Sequence, residues 1–512
     1  MLADDIALVL ADGQGITAVE LANRLGTPVG PVSFALFAGH GRFRCDSGSP
    51  PRWWPASSSP PQRPSRGVEV ALGTPPSTSL GLYPWQADAL KTWGEQGCRG
   101  VIEAVTGTGK TMIGVAATLD ELRCRGQVVV LVPTVELQQQ WVTQLEARLP
   151  TSFRVGRMGA GSGDSLVTHD VLVAVVNSAR VADVRPIRKG GLLVADECHR
   201  YGSDVNRLAL DARFVHRLGL TATYARDDDG NMAWLDPYFG RTCFRLGYDR
   251  AVADAIVARF TVTLIGVRFS RAERAKYDEL TEQMGVLRAR LVREHGVPKE
   301  PFEAFMKALT ELANGGGPAG GLARAYRQAM LERRRLLADT PTKDLALRQL
   351  APAVRTANRG IVFTQSIATT ERVCCLLAGC GLRAAVMHSE LPARERSERL
   401  RRFAAGDLDV IVAPRVLDEG VDVPAADLAV IVGASRSRRQ MVQRMGRVLR
   451  RKPDGRHARF AVLFVEGTVE DPRLGAHEAF LDEIVDVADQ VSYFSAEVAA
   501  NRFGAVLEAV QP

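Results

Sequence analysis

The stretch EAVTGTGKT at 103–111 carries the first chemistry legible in this chain. From position 104 it follows the phosphate-binding pattern G-x-x-x-x-G-K-[ST], except that Ala104 stands where the first glycine belongs. The physics of such a loop lies downstream of that position. Backbone N–H groups from Gly107 to Thr111, with Thr106 and Thr108 in the run, can converge on phosphate oxygens. The helix expected to begin there adds the positive end of its dipole. Gly107 and Gly109 supply the unusual dihedrals and the close approach. Lys110 is placed to reach the β- and γ-phosphates of ATP, and the Thr111 hydroxyl to bind Mg2+.

Such a site needs an acid at the end of another strand. The run GLLVADECH at 191–199 supplies it. Asp196 closes four apolar residues and is expected at the carboxyl edge of a sheet, where it would hold Mg2+. Glu197 is then the base that orients the attacking water. His199 has no zinc-like partners nearby in the sequence and reads as a coupling residue. Charge developing on the γ-phosphoryl group calls for arginine. QRMGRVLRR at 443–451 provides Arg447 and Arg450, three apart and so on one helical face. They lie far along the chain from Lys110. The expected geometry is a cleft between two domains, with hydrolysis requiring closure.

The elements that must position these residues follow from periodicity. Residues 81–269 and 341–470 each alternate short apolar runs with helical segments, as in GVIEAV, QVVVLVP and GLLVAD, then RGIVFT, LDVIVA and ARFAVLFV. Each region is therefore expected to fold as a parallel α/β domain with crossover helices. Residues 270–340 read as a charged helical insertion broken by NGGGPAGG. Residues 471–512 read as a helical tail packed on the second domain. At the other end, residues 1–55 suggest a small winged-helix-like domain, with Thr17 and Glu20 at capping-box spacing and Gly26 as a helix stop. Residues 56–80, rich in Pro and Ser, are expected to be a linker.

Bulk properties are those expected of a soluble globular protein. The chain has 512 residues, 46% hydrophobic and 24% charged, with a net charge of +7. No apolar run approaches the ~20 residues of a membrane span, and the acidic start MLADDIALVL is unlike a signal peptide. Cys374, Cys375 and Cys380 are expected to be buried thiols, which fits a reducing cytoplasm. Trp85, Trp93 and Trp141 read as core packing. The basic excess concentrates between Arg436 and Arg459, with ten Arg or Lys against the single acid Asp454.

In this order the motifs resemble those of superfamily 2 helicases and translocases over about residues 81–470. Gln86 in LYPWQADAL looks like the adenine-reading glutamine, and TGTGKT is similar to motif I. VPTVELQQQW resembles motif Ia, and DECH is a variant of the DEAD and DEAH boxes. TAT, with Thr221 and Thr223, resembles the coupling motif III, and GIVFTQS resembles motif IV. VLDEGVDVP resembles motif V and would bring Gly420 and Asp422 to the nucleotide. QRMGRVLR resembles motif VI, with Gln443, Arg447 and Arg450 in nucleotide roles.

Within the superfamily the likeness is to the XPB-type and type III restriction-motor group. That group has an Arg-Glu-Asp signature after motif III, and Arg226-Asp227-Asp228 stands there. DECH, and glutamine rather than histidine opening motif VI, favour DNA over RNA. Pro414 replaces the threonine usual before the Arg-Val-Leu run of motif V. The resemblance implies two RecA-like domains and an ATP-dependent DNA helicase or translocase moving 3′-to-5′, with ATP and Mg2+. It places Thr134, Asn177, Ser178, Thr364 and Arg226 against nucleic acid. An RNA helicase and a nucleotide-gated DNA-binding scaffold are the rival readings. No nuclease signature is visible, so cleavage in repair or defence would need a partner.

Overall fold

The computed structural model describes residues 2–11, 16–27, 32, 35–36, 43–45, 52–55, 80–188, 191–224, 230–300, 302–414, 426–433, 446, 448–452, 454–474 and 487–511. The linker expected at 56–80 lies outside them but for its last residue.

At the N-terminus, helix Ala18–Leu25 begins at a capping box. The Glu20 N–H donates to Thr17 Oγ1, and Glu20 returns the bond through its carboxylate to the Thr17 N–H. Gly26 ends it with φ +59. Strands β1 (Ile16–Thr17), β2 (Phe43–Cys45) and β3 (Arg52–Pro55) form an antiparallel sheet in the order β1-β3-β2. Ile6, Leu10, Leu21, Val32, Leu36, Phe43 and Trp53 close a small core of their own.

The first large sheet holds β4 (Arg99–Ala104), β5 (Val128–Val132), β6 (Val155–Gly159), β7 (Ser162–Gly163), β8 (Val171–Val175), β9 (Leu192–Asp196), β10 (His216–Thr221) and β11 (Thr242–Leu246). Their order is β11-β4-β10-β9-β5-β8-β6-β7, and all pairings are parallel except β6 with β7. Strands β5, β8 and β9 are buried at every position. That is the condition of a parallel sheet covered on both faces, and it explains why they read as unbroken apolar runs.

The second sheet holds β12 (Phe260–Val267), β13 (Gly360–Thr364), β14 (Ala384–Val386), β15 (Val410–Pro414), β16 (Leu428–Ile431), β17 (Ala458–Val465) and β18 (Gln490–Phe494). It is parallel throughout, in the order β14-β15-β13-β16-β17-β12-β18. Two boundaries therefore move. Residues 260–267, expected with the first domain, pair along β17 in the second. The expected helical tail contributes β18 at that sheet's edge before helices Ala496–Asn501 and Phe503–Val510.

The crossing between domains is packed rather than loose. Ala251, Ile256, Val257, Ala258, Val448 and Leu449 join the apolar cluster that runs through both sheets. The Ala258 N–H donates to the Leu449 carbonyl at 2.7 Å, and Val257 bridges to Arg450.

The insertion is three helices, Arg271–His295, Phe302–Asn314 and Gly317–Ala338, around Leu280, Leu287, Leu291, Phe305, Leu309 and Tyr326. Its root is fixed to the second domain. Arg274 donates to the carbonyls of Glu466 (2.5 Å) and Gly467 (3.0 Å), and the Val469 N–H donates to Tyr277 Oη at 2.9 Å. Cys375 is exposed, and Cys374 and Cys380 are half-buried, because their helix lies on the outside of the sheet. The expectation of buried thiols fails there. Among the described residues no helix is long and apolar enough to cross a membrane.

Candidate functional site

Strand order explains why residues so far apart in sequence act together. At the carboxyl ends of β4, β10, β9, β5 and β8 stand, in that spatial order, the phosphate loop, TAT, DECH, Thr134 and Asn177–Ser178. Ligands bind at this edge in parallel sheets because the loops and helix N-termini converge there.

The loop itself is built for close approach. Gly107 and Gly109 both have φ +85, a region costly for other residues, and Gly109 precedes helix Lys110–Arg123. The Thr108 hydroxyl donates to the Val105 carbonyl at 2.7 Å and closes the turn. Lys110 Nζ donates back to the Ala104 carbonyl at 2.7 Å, so it bonds to its own loop. Burial pulls the Lys110 pKa below the ordinary lysine value, and the nearby Glu197 and Asp196 oppose that shift. Those two acids therefore stand within electrostatic reach of the loop. Gln86 is buried, accepting from the Tyr83 N–H at 2.9 Å and donating to the Gly109 carbonyl at 3.0 Å. The residue expected to read adenine thus also fastens the upstream segment to the loop.

Asp196 and Glu197 differ in environment. Asp196 is buried at the tip of β9. Its Oδ1 accepts from the Glu197 N–H (3.0 Å), and its Oδ2 accepts from Trp141 Nε1 (2.7 Å). Glu197 follows at φ +50, a left-handed conformation uncommon for a residue with a Cβ. Beyond it, His199 Nδ1 lies 2.9 Å from Thr221 Oγ1 and 3.5 Å from Glu197 Oε2. The Thr221 hydroxyl donates to the Thr223 carbonyl, which assigns the His199 proton to Nδ1. DECH and TAT are thereby joined by one hydrogen-bonded chain. The donor set, a threonine hydroxyl after the loop and a carboxylate at a neighbouring strand end, suits a hard divalent cation such as Mg2+.

The second domain reaches this loop. A Cβ placed on Gly107 would lie 2.9 Å from the Gly446 carbonyl and 3.4 Å from Arg450 Cγ. A Cβ on Gly446 would collide with Thr106. The two motifs thus touch through glycine backbone. Arg447, Gln443, Gly420, Asp422 and Arg226 lie outside the described residues.

Of the expected nucleic-acid contacts, Asn177 is exposed and Ser178 half-buried on the turn after β8. The Thr134 hydroxyl caps helix Val135–Glu146 by accepting from the Leu137 N–H at 3.3 Å. Thr364 is displaced from that role. It is 1% exposed, and its hydroxyl pairs with Thr370 Oγ1 at 2.6 Å beside the Ala413 carbonyl, clamping β13 to β15 and the next helix. Sequence reasoning missed three participants. Trp141 reads as packing, yet a buried indole N–H needs an acceptor, and here that acceptor is Asp196. Glu103, just before the loop, accepts from the Tyr224 N–H at 3.0 Å and so ties the end of TAT to β4. Arg396 pairs with Glu136.

Residues 79–226 match the family described as type III restriction enzyme, res subunit, and residues 342–452 match the helicase conserved C-terminal domain. The chain is 28% identical over 372 residues to the DNA 3'-5' translocase XPB2 of Sulfurisphaera tokodaii, covering 72% of this chain and 79% of that one. It is 28% identical over 418 residues to the putative DNA 3'-5' helicase Rad25 of Halobacterium salinarum, covering 80% of this chain but only 58% of the relative. In fold it is similar to an S. cerevisiae Dbp5 variant bound to RNA and ADP BeF3, with a TM-score of 0.51, 13% identity, and coverage of 85% and 99%. Two parallel α/β sheets, the motifs along their edges and these likenesses agree: the chain carries a type III restriction enzyme res-subunit region and a helicase conserved C-terminal domain, and over most of its length it is similar to XPB-type DNA 3'-5' helicases and translocases.

Proposed function

We propose that this chain is an ATP-dependent DNA helicase or translocase that couples ATP hydrolysis to movement along or unwinding of DNA, 3′-to-5′. The observation that carries the reading is the contact of the phosphate loop with the second domain at Gly107, Gly446 and Arg450. A γ-phosphate in the loop would meet Lys110 from one side and arginine from the other, so its loss on hydrolysis removes the reason for the domains to stay together. Glu197 is the base, and Lys110, Arg450, Arg447 and Gln443 stabilise transferred charge. Gln86, Gly420 and Asp422 complete the nucleotide contacts. Thr111 and Asp196 would hold Mg2+, which would supply positive charge to offset that of the phosphates. His199, Thr221 and Thr223 connect the base to the nucleic-acid edge.

The track is held at Thr134, Asn177 and Ser178, and Arg226, after TAT in the sequence, is a further contact. Phosphate contacts of this kind carry no sequence information, and their affinity falls with salt. The working site is the cytoplasm, and a nuclease or other repair or defence partner would supply any cleavage. The test is ATPase activity with single-stranded DNA, duplex DNA and RNA, alongside Lys110→Ala. DNA should stimulate wild type and not the variant. Stimulation by RNA alone would make the protein an RNA motor. Equal background activity in wild type and variant would leave a nucleotide-gated scaffold. Displacement of streptavidin from one DNA end but not the other reads the polarity.

A further inference from the structure

Trp141 lies on helix Val135–Glu146, the helix that starts at the nucleic-acid edge with Thr134. Its side chain is 1% exposed. The Trp93 indole gives its proton to a backbone carbonyl, that of Arg217, at 3.1 Å. Trp141 instead donates to Asp196 Oδ2 at 2.7 Å, a charge-assisted bond inside the fold. The Glu197 N–H takes Oδ1 at 3.0 Å. Each carboxylate oxygen offers two lone-pair directions, so a donor on each fixes the plane of the carboxylate and directs the remaining lone pairs. The indole cannot easily turn away. Helix Lys110–Arg123 passes it at Gly114, where a Cβ would collide with the ring.

We propose that Trp141 is a positioning residue for the cation: its indole N–H sets the orientation in which Asp196 receives Mg2+. Partners that orient a metal ligand are commonly worth 10- to 100-fold in metal affinity. The inference rests on the ATP-hydrolysing reading. It adds that the helix beginning at the track edge ends its influence on the metal-bearing acid.

The experiment titrates Mg2+ into full-length protein with a fluorescent ADP analogue and compares wild type with Trp141→Phe, which keeps most of the ring and removes the donor. Affinity in EDTA should be unchanged. The Mg2+ concentration for half-maximal tightening should rise roughly 10-fold or more. An unchanged Mg2+ midpoint, or an equal loss with and without Mg2+, would overturn the proposal and leave Trp141 as packing. Wild type failing to bind the analogue with Mg2+ as well as in EDTA would instead remove the nucleotide reading beneath it. A second measurement does not depend on that variant folding. In protein labelled with 5-fluorotryptophan, Asp196→Asn should move one fluorine signal, and in wild type the same signal should move with Mg2+ and ADP together but not with ADP in EDTA. If no signal answers to both, Trp141 does not position the acid.

Discussion

Arg396 Nη2 lies 2.9 Å from Glu136 Oε1, and this ion pair joins a helix of the second domain to the helix after Thr134 in the first. Arg396 Nη1 is held in place by the carbonyls of Ser389 and Leu391, both at 3.2 Å. A guanidinium already fixed loses little entropy in pairing, and it contributes to closure without touching nucleotide.

Glu136→Gln should therefore weaken nucleotide affinity in the absence of DNA by about two- to fivefold, the range of a partly exposed pair. The loss should shrink at high salt. Adding Arg396→Gln should cost little more, and a double-mutant cycle on the dissociation constant measures the coupling. Additive losses would mean the two side chains act separately.

Glu197→Gln preserves shape and removes the carboxylate proposed as the base. Turnover should fall by about 10²–10⁴ while nucleotide and DNA affinities hold. Single-turnover hydrolysis beside equilibrium binding checks this, and undiminished turnover would dismiss Glu197.

Gly107→Ala meets two penalties at once, the φ of +85 and the Gly446 carbonyl 2.9 Å from the new Cβ. Left-handed backbone alone costs ~1–2 kcal/mol for a residue with a Cβ. The variant should lose DNA-stimulated ATPase more than it loses melting temperature, because it holds the second domain off the loop. Equal stimulation in variant and wild type would show that the loop and Gly446 do not need this approach.

Lys452 is buried just after Arg450, with Nζ donating to the Val448 carbonyl at 2.8 Å. Burial pulls its pKa down to about 8, with Asp427 and Asp454 opposing the shift and Arg459 and Arg456 adding to it. The folded-state value is below the unfolded one, so between about pH 8 and the ordinary lysine value the unfolded chain binds more protons and stability rises with pH. Below that window the full cost of the buried charge is present. Lys452→Met should melt higher at neutral pH, and the gap to wild type should close as pH rises through the window. A gap independent of pH would mean the charge carries no such cost.

Much of this was legible because its chemistry is local. A loop, a strand-end acid and a capping threonine announce themselves within a few residues, so TGTGKT, DECH and the Thr17 cap fall where the spacing puts them. Pairing between parallel strands is not local. Nothing within Phe260–Val267 says that it lies beside Ala458–Val465, nearly two hundred residues on, and so the domain boundary was misplaced. The same holds for side chains with two uses. Thr364 offers a hydroxyl at a strand end as Thr134 does, but only the fold shows Thr370 waiting for it. Trp141 carries a large apolar ring, and its one polar atom finds its meaning only when β9 is laid beside β5.

The root of the helical insertion has a mechanical consequence. Arg274 and Tyr277 fasten it to residues 466–469, on the strand side that also leads back from Arg450. Its first helix runs 25 residues, a lever arm of about 37 Å at 1.5 Å per residue. Such an arm amplifies a small tilt of its anchor into a sweep of several ångströms at its tip. Force met by that tip on a blocked track would be returned to the lobe bearing Arg450, so that obstruction and the hydrolytic cycle would be felt through one rigid piece.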